Sequence, residues 1–215
     1  MQPIELQNNE QRTVLLLNPS SAEYRFVQKS GSSLTVHLFC LDDRDADISI
    51  YVDQAEEGCT TEIYGLAVTC GSQHNSCHTV VRHLCNNGVS RQLFKYILAG
   101  TSNAEFNGEL IIVKDAQGND AQQSNRNLLL SDKAKITTKP QLQIYADDVK
   151  ASHGASTGQL DQSSVFYMQQ RGISRQSAVK LLVSAFAEEV ATTISDAEQQ
   201  DNIRAAIEER LNRLI

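Results

Sequence analysis

Apolar and polar residues alternate in short bursts along the first three quarters of the chain. Thr13–Leu17, Tyr24–Val27, Leu34–Phe39, Ile48–Val52 and Thr61–Val68 are each rich in β-branched or aromatic residues. Asn, Asp, Gly and Ser, the turn formers, separate them. Several of these runs alternate with period two, which predicts a wall with one face inside and one outside. Phe106, Leu110–Val113 and Leu142–Tyr145 continue the series, with turns expected at Asn107-Gly108 and at Gly118-Asn119-Asp120. No helical stretch interrupts it. That excludes the doubly wound α/β folds, whose parallel strands need crossover helices. The pattern shows no strict repeat, so by itself it leaves a β-sandwich and a β-solenoid equally open.

The period changes at Asp161. That residue predicts a helix N-cap, followed by Val165, Phe166, Tyr167 and Met168, and Gly172 suits the position after the helix end. Ser174 caps a second helix with apolar residues at 178, 179, 181, 182, 183, 185, 186 and 190. A stripe that wide predicts burial on more than one side. Ser195 or Asp196 opens a third helix, with Ile203, Ala206, Ile207, Leu211 and Leu214 spaced three and four apart. The expected division is a β body over 1–158 and a helical segment over 159–215. Helices in that place close the end of a stacked fold, offer a docking surface, or both.

Composition narrows the functional classes. The chain has 215 residues and a formal net charge of −7. An acidic balance argues against a nucleic-acid surface, which needs clustered Lys and Arg. No apolar run approaches the ~20 residues of a spanning helix, and the first residues have no basic and apolar leader pattern. A cytoplasmic chain with no membrane partner is expected. The five Cys, at 40, 59, 70, 77 and 85, include no C-x-x-C pair and read as free thiols.

Two groups of polar residues stand out. His74, Cys77, His78, His83 and Cys85 supply nitrogen and sulfur ligands in the spacing H-x2-C-H-x4-H-x-C. The paired spacing typical of zinc sites is missing, so packing is the stronger expectation. Asp147, Asp148, Ser152 and His153 supply oxygen and nitrogen beside Gly154 and Gly158. Adjacent aspartates on a strand point to opposite faces, a poor geometry for paired acid–base work. Gln123, Asn125 and Asn127 alternate and so share one face. They read either as a hydrogen-bonded amide ladder inside a stacked fold or as solvated turn residues. No phosphate loop, G-x-S-x-G or dinucleotide fingerprint is present, and aromatics are 6% with no Trp.

The segment QSNRNLLLSDKAKITTKPQLQIYADDVKASHGASTGQLD, followed by FYMQQRGIS, resembles the C-terminal part of the SufB/SufD family, the scaffold proteins of SUF iron–sulfur cluster assembly. KASHGAST is similar to the SufD branch, since the SufB branch typically has Glu where Gly154 stands. The resemblance implies a right-handed parallel β-helix followed by a small C-terminal helical segment. At roughly 20–25 residues a coil, six or seven coils are expected. Family members are commonly much longer, which makes this chain look like a C-terminal portion.

The resemblance also implies a role. It points to a non-catalytic scaffold subunit that pairs with a SufB-like partner and docks the SufC ATPase through its terminal helices. In the family the histidine at position 153 is a proposed iron or cluster ligand at the SufB–SufD interface. Many relatives carry Cys where this chain has Ala151, so a thiolate is lost here. The isolated chain is therefore expected to hold no iron or zinc, with a cluster bound transiently in the complex. Without its partner it is expected to form a homodimer through residues around Leu142–His153. Phe166, Tyr167, Leu181, Leu182 and Phe186 are expected to be mostly buried while leaving an apolar docking patch. The competing readings are a β-helical carbohydrate-active enzyme and a stand-alone metal-binding protein built on the His74–Cys85 group.

Overall fold

The computed structural model describes residues 2–215. Twelve strands run β1 (Ile4–Leu6), β2 (Gln11–Leu17), β3 (Ala22–Gln28), β4 (Ser33–Cys40), β5 (Ala46–Gln54), β6 (Thr60–Thr69), β7 (His74–His83), β8 (Val89–Leu98), β9 (Asn103–Ile112), β10 (Asn119–Leu129), β11 (Lys135–Ile144) and β12 (Val149–Gln159). Odd strands stack in one parallel sheet and even strands in another, each in sequence order. The chain therefore winds as a parallel β-solenoid of about five turns. Coils lengthen from 22 residues, between Ile4 and its neighbour Phe26, to 32, between Phe106 and Thr138. The turns are fewer and longer than expected because the strands themselves grow, from three and seven residues in β1 and β2 to ten and eleven in β11 and β12.

One corner of the solenoid repeats through the first five coils. Asn9, Gly31, Gly58, Asn87 and Gly118 all have positive φ, between 58° and 71°. Only Gly, or Asn with its short polar side chain, takes that conformation cheaply. Their amides are tied coil to coil: Gly31 donates to Glu57, Gly58 to Asn86, Asn87 to Gln117 and Gly118 to Asp148. Gly118 is thus a turn residue as expected. Asn107-Gly108 is not, since both lie inside β9. A Cβ at Gly108 would stand 2.2 Å from Gln123 Nε2. The glycine is there to admit the carboxamide arriving from the opposite sheet. Gly65 makes room in the same way for Phe94, its register neighbour within the even-stranded sheet, whose ring would meet a Cβ at 2.3 Å.

The interior is apolar early and polar late. One inward column runs Val14, Val36, Ile63, Gln92, Gln123 and His153. Its neighbour runs Leu16, Leu38, Gly65, Phe94, Asn125 and Ala155. The apolar core gathers around Phe26, Ile48, Ile50, Val52, Phe94, Phe106 and Leu110. Each such side chain contributes about 1.5–3 kcal/mol on burial. Gln123, Asn125 and Asn127 do share an inner face, buried, with Asn127 donating to Asn125 at 2.7 Å and to Thr157 at 3.1 Å.

Three helices follow: α1 (Gln162–Gln169), α2 (Arg175–Ala191) and α3 (Ala197–Leu214). Asp161, Ser174 and Asp196 cap them by accepting backbone N–H groups. They cover the outer face of the even-stranded sheet. Phe39, Leu66, Val68 and Ile97 meet Val183, Ala187, Val190, Ile203 and Leu211 there. Two buried cations fix the placement. Lys95 Nζ donates to the Phe186 carbonyl at 2.8 Å and pairs with Glu189. Arg210 donates to the Val68 carbonyl at 3.0 Å and pairs with Asp43. The odd-stranded sheet has no helix packed on its outer face among the described residues.

Candidate functional site

The last coil, β11 and β12, is where the stack ends. Among the described residues no strand follows it, so the end of the stack stands open, and β12 is exposed along almost its whole length. His153 lies on this strand. Its odd-numbered neighbours Val149 and Ala151 pack on the core, and Thr157 accepts from buried Asn127. The imidazole therefore points over the mouth of the solenoid. Beneath it, one coil down in register, is Gln123.

Asp147 and Asp148 do not join it. They occupy the sixth corner, exposed, and Asp148 serves the turn with its backbone: its carbonyl accepts from Gly118 at 2.7 Å and its N–H donates to Gln117 at 2.8 Å. Five residues of extended strand, ~16 Å, separate Asp148 from His153. Lys150, across the shallow cleft from Asp120, shares that corner with Asp148.

The His74–Cys85 group is dispersed. His74 is exposed at the start of β7. Cys77 points into the core, where burial raises its thiol well above the usual range. His78 points outward and meets Glu109 at 3.2 Å. His83 points inward and is fully buried, with Nδ1 donating to Asn119 at 3.0 Å and Nε2 accepting from Ser90 at 2.8 Å. Cys85 sits beyond the strand end, so it does not share a strand face with His83; its Sγ meets the Ala55 carbonyl. Among the described residues no three His, Cys, Asp or Glu side chains converge. That gives no support to a stand-alone metal site or to a carboxylate groove for sugar chemistry.

The docking residues differ from expectation in burial. Phe166, Tyr167 and Leu181 are 60%, 58% and 52% exposed, and Leu182 and Phe186 are half-buried. The reason is that α1 leans on α2 and buries only Val165. Tyr167, Met168 and Leu182 line an open groove of about 590 Å³ between these two helices. Arg171 stacks on the Tyr167 ring at 3.8 Å. Lys95 and Arg210 were not marked by pattern, although a lone Lys within LFKYIL was the available signal.

Residues 4–186 match the model of the SUF system FeS cluster assembly SufBD core domain. The chain belongs to the SufBD family. An iron–sulfur cluster assembly SufBD family protein of Synechocystis is 35% identical over 91% of this chain and 41% of its own length. Escherichia coli SufD, an iron–sulfur cluster assembly protein, is 39% identical over 72% of this chain and 37% of its own length. The chloroplastic protein ABCI7 of Arabidopsis thaliana is 34% identical over 86% and 37%. This SufBD-family chain thus spans about two fifths of the length of these curated relatives. No helix among its described residues is long and apolar enough to cross a membrane.

Proposed function

We propose that this chain is a non-catalytic, SufD-like scaffold subunit of SUF iron–sulfur cluster assembly, acting in the cytoplasm. It pairs with a SufB-like partner through the open last coil and docks the SufC-like ATPase through the α1–α2 groove. The observation that carries the reading is His153, set on the inner face of an uncovered coil. A partner seated on that coil would enclose the imidazole. As a neutral ring it offers one nitrogen lone pair to the iron of a nascent cluster, the substrate of the system. With no thiolate at Ala151, the remaining ligands come from the partner. Replacing His153 by Ala in the co-expressed, anaerobically purified complex is expected to lower retained iron about tenfold, read from iron content and the visible spectrum. Unchanged iron would sink the reading.

The same open coil governs self-association. Unpaired strand groups and half-covered apolar side chains seek a partner, and one self-complementary patch gives a two-fold dimer. In isolation the chain is expected to be a homodimer burying more than ~1,000 Å², with Leu142, Tyr145 and His153 at or beside the contact. Light scattering at tens of micromolar checks the stoichiometry. A monomer, or a dimer joined only through α3, contradicts this expectation.

A further inference from the structure

Gln123 is 3% exposed, and neither its Oε1 nor its Nε2 has a hydrogen-bond partner among the described residues. Leaving a buried amide unpaired costs about 1–3 kcal/mol. Replacing such a group by an apolar one of the same shape is neutral or stabilising. A leucine or methionine would serve packing better here. The fold nevertheless spends a glycine on this side chain, since Gly108 leaves the space the carboxamide enters.

The column explains both. His153 is the register neighbour of Gln123 on the same inner face, one strand spacing, ~4.8 Å, away. Gln92 is the neighbour on the other side, and its Oε1 already accepts from Thr79 Oγ1 at 2.8 Å with a second lone pair to spare. Register sets Gln92 on one side of the Gln123 carboxamide and His153 on the other: Gln92 offers a spare lone pair on Oε1 and an unpartnered Nε2–H, and an imidazole N–H of His153 is a further donor within one strand spacing of Oε1. Histidines that hold a metal almost always donate their other ring N–H to such an oxygen, which fixes the tautomer and the ring orientation.

We propose that Gln123 is a positioning residue for His153: its carboxamide oxygen accepts one imidazole N–H once the last coil is covered, leaving the other ring nitrogen free to bind iron. This rests on the reading of His153 as an iron ligand. It extends the site one coil inward and assigns a role to the polar interior.

An isosteric pair of variants tests it in the co-expressed complex, with ferrous iron and sulfide as the probe. Gln123→Met removes the acceptor and keeps the volume. Gln123→Glu keeps both. The Met variant is expected to retain iron about tenfold less well and to show an altered visible spectrum. In the same complex the Glu variant stays within about threefold of the parent. The thermal midpoint of the Met variant alone is expected to equal or exceed the parent's. Met and Glu variants with equal iron retention overturn the proposal, whatever their stability. A His153→Ala complex with normal iron overturns the underlying reading instead, so the two failures are distinguishable. The ¹⁵N shifts of the His153 ring in the assembled complex give a further check. One dominant neutral tautomer is expected in the parent, and a mixture in the Met variant. A mixture in the parent overturns the proposal.

Discussion

Acidification from about pH 7.5 to about pH 4.5 is expected to remove roughly 2.5 kcal/mol of folding stability through His83 alone. His83 is fully buried, and burial pushes its imidazole down to about 4, against partial relief from Asn119. The ordinary value, held in the unfolded chain, is about 6.5. Below that value the unfolded chain takes up a proton that the native state excludes. Stability is therefore full above about 6.5, falls as the pH drops through the window, and levels off below about 4. The hydrogen bonds give the same sign. Asn119 Oδ1 already accepts from Gly88 and from His83 Nδ1, so the neutral ring is fully satisfied. A second proton on Nε2 would require the Ser90 hydroxyl to turn from donor to acceptor. Around the ring stand Gln54, Asn119 and Ser90, which carry no charge to stabilise an imidazolium. Urea unfolding at a series of pH values measures the slope. His83→Gln is expected to be less stable near neutrality but to lose most of that slope. His37, also pushed down by burial and bonded to Thr193, adds a smaller part of the same sign. An undiminished slope in His83→Gln would place the acid sensitivity elsewhere.

Buried histidines and amides show where reading the chain by pattern works and where it stops. Strand positions were legible because each strand of the odd sheet has one wet face, as in β5, where Ile48, Ile50 and Val52 alternate with Ser49 and Tyr51. The even sheet is covered on both faces, by the core and by the helices, so Leu38, Phe39, Cys40 and Leu41 form one continuous buried run. Helix caps were legible because they are local. Coil stacking is not local. Nothing near Gly108 in sequence announces that Gln123 fills its space, and the same two letters, Asn107-Gly108, spell a turn elsewhere. Histidine spacing carried little weight for a related reason, and packing was the stronger expectation. A strand sends His78 outward and His83 inward, so five close ligands in sequence become five separate environments. His153 stood out within its polar group, and the resemblance supplied its expected role. Its position over the solenoid mouth needed the register.

The polar end of the interior also bears on how the chain assembles. An apolar coil left open would favour any hydrophobic surface. This one presents His153 over the buried amide Gln123 and Thr157 over Asn127. Unpaired polar groups penalise a partner that does not match them, so the end selects by hydrogen bonding more than by area.

Replacing Phe166 and Tyr167 together by Asp is expected to weaken binding of the SufC-like ATPase at least ~100-fold, as loss of two aromatic anchors does at protein interfaces. Both side chains are more than half exposed, so the fold does not depend on them. The variant should keep its thermal midpoint, because surface changes away from caps and core stay within ~0.5 kcal/mol. Val165, the buried residue of α1, and the Asp161 cap are untouched. The expected contact is the groove floored by Met168 and Leu182, with Tyr167 as its wall. Arg171 holds that ring from one side, which lowers the ordering cost of binding. Leu181 lies on a neighbouring surface with Lys180, Glu188, Arg204 and Glu208. Leu181→Asp therefore serves as a second, independent probe of how far the contact extends along α2. Titration calorimetry with the purified ATPase reads all three. If the double variant folds and binds as the parent does, the α1–α2 groove is not the docking surface. Loss only in Leu181→Asp would move the contact to the α2–α3 side of the helical segment.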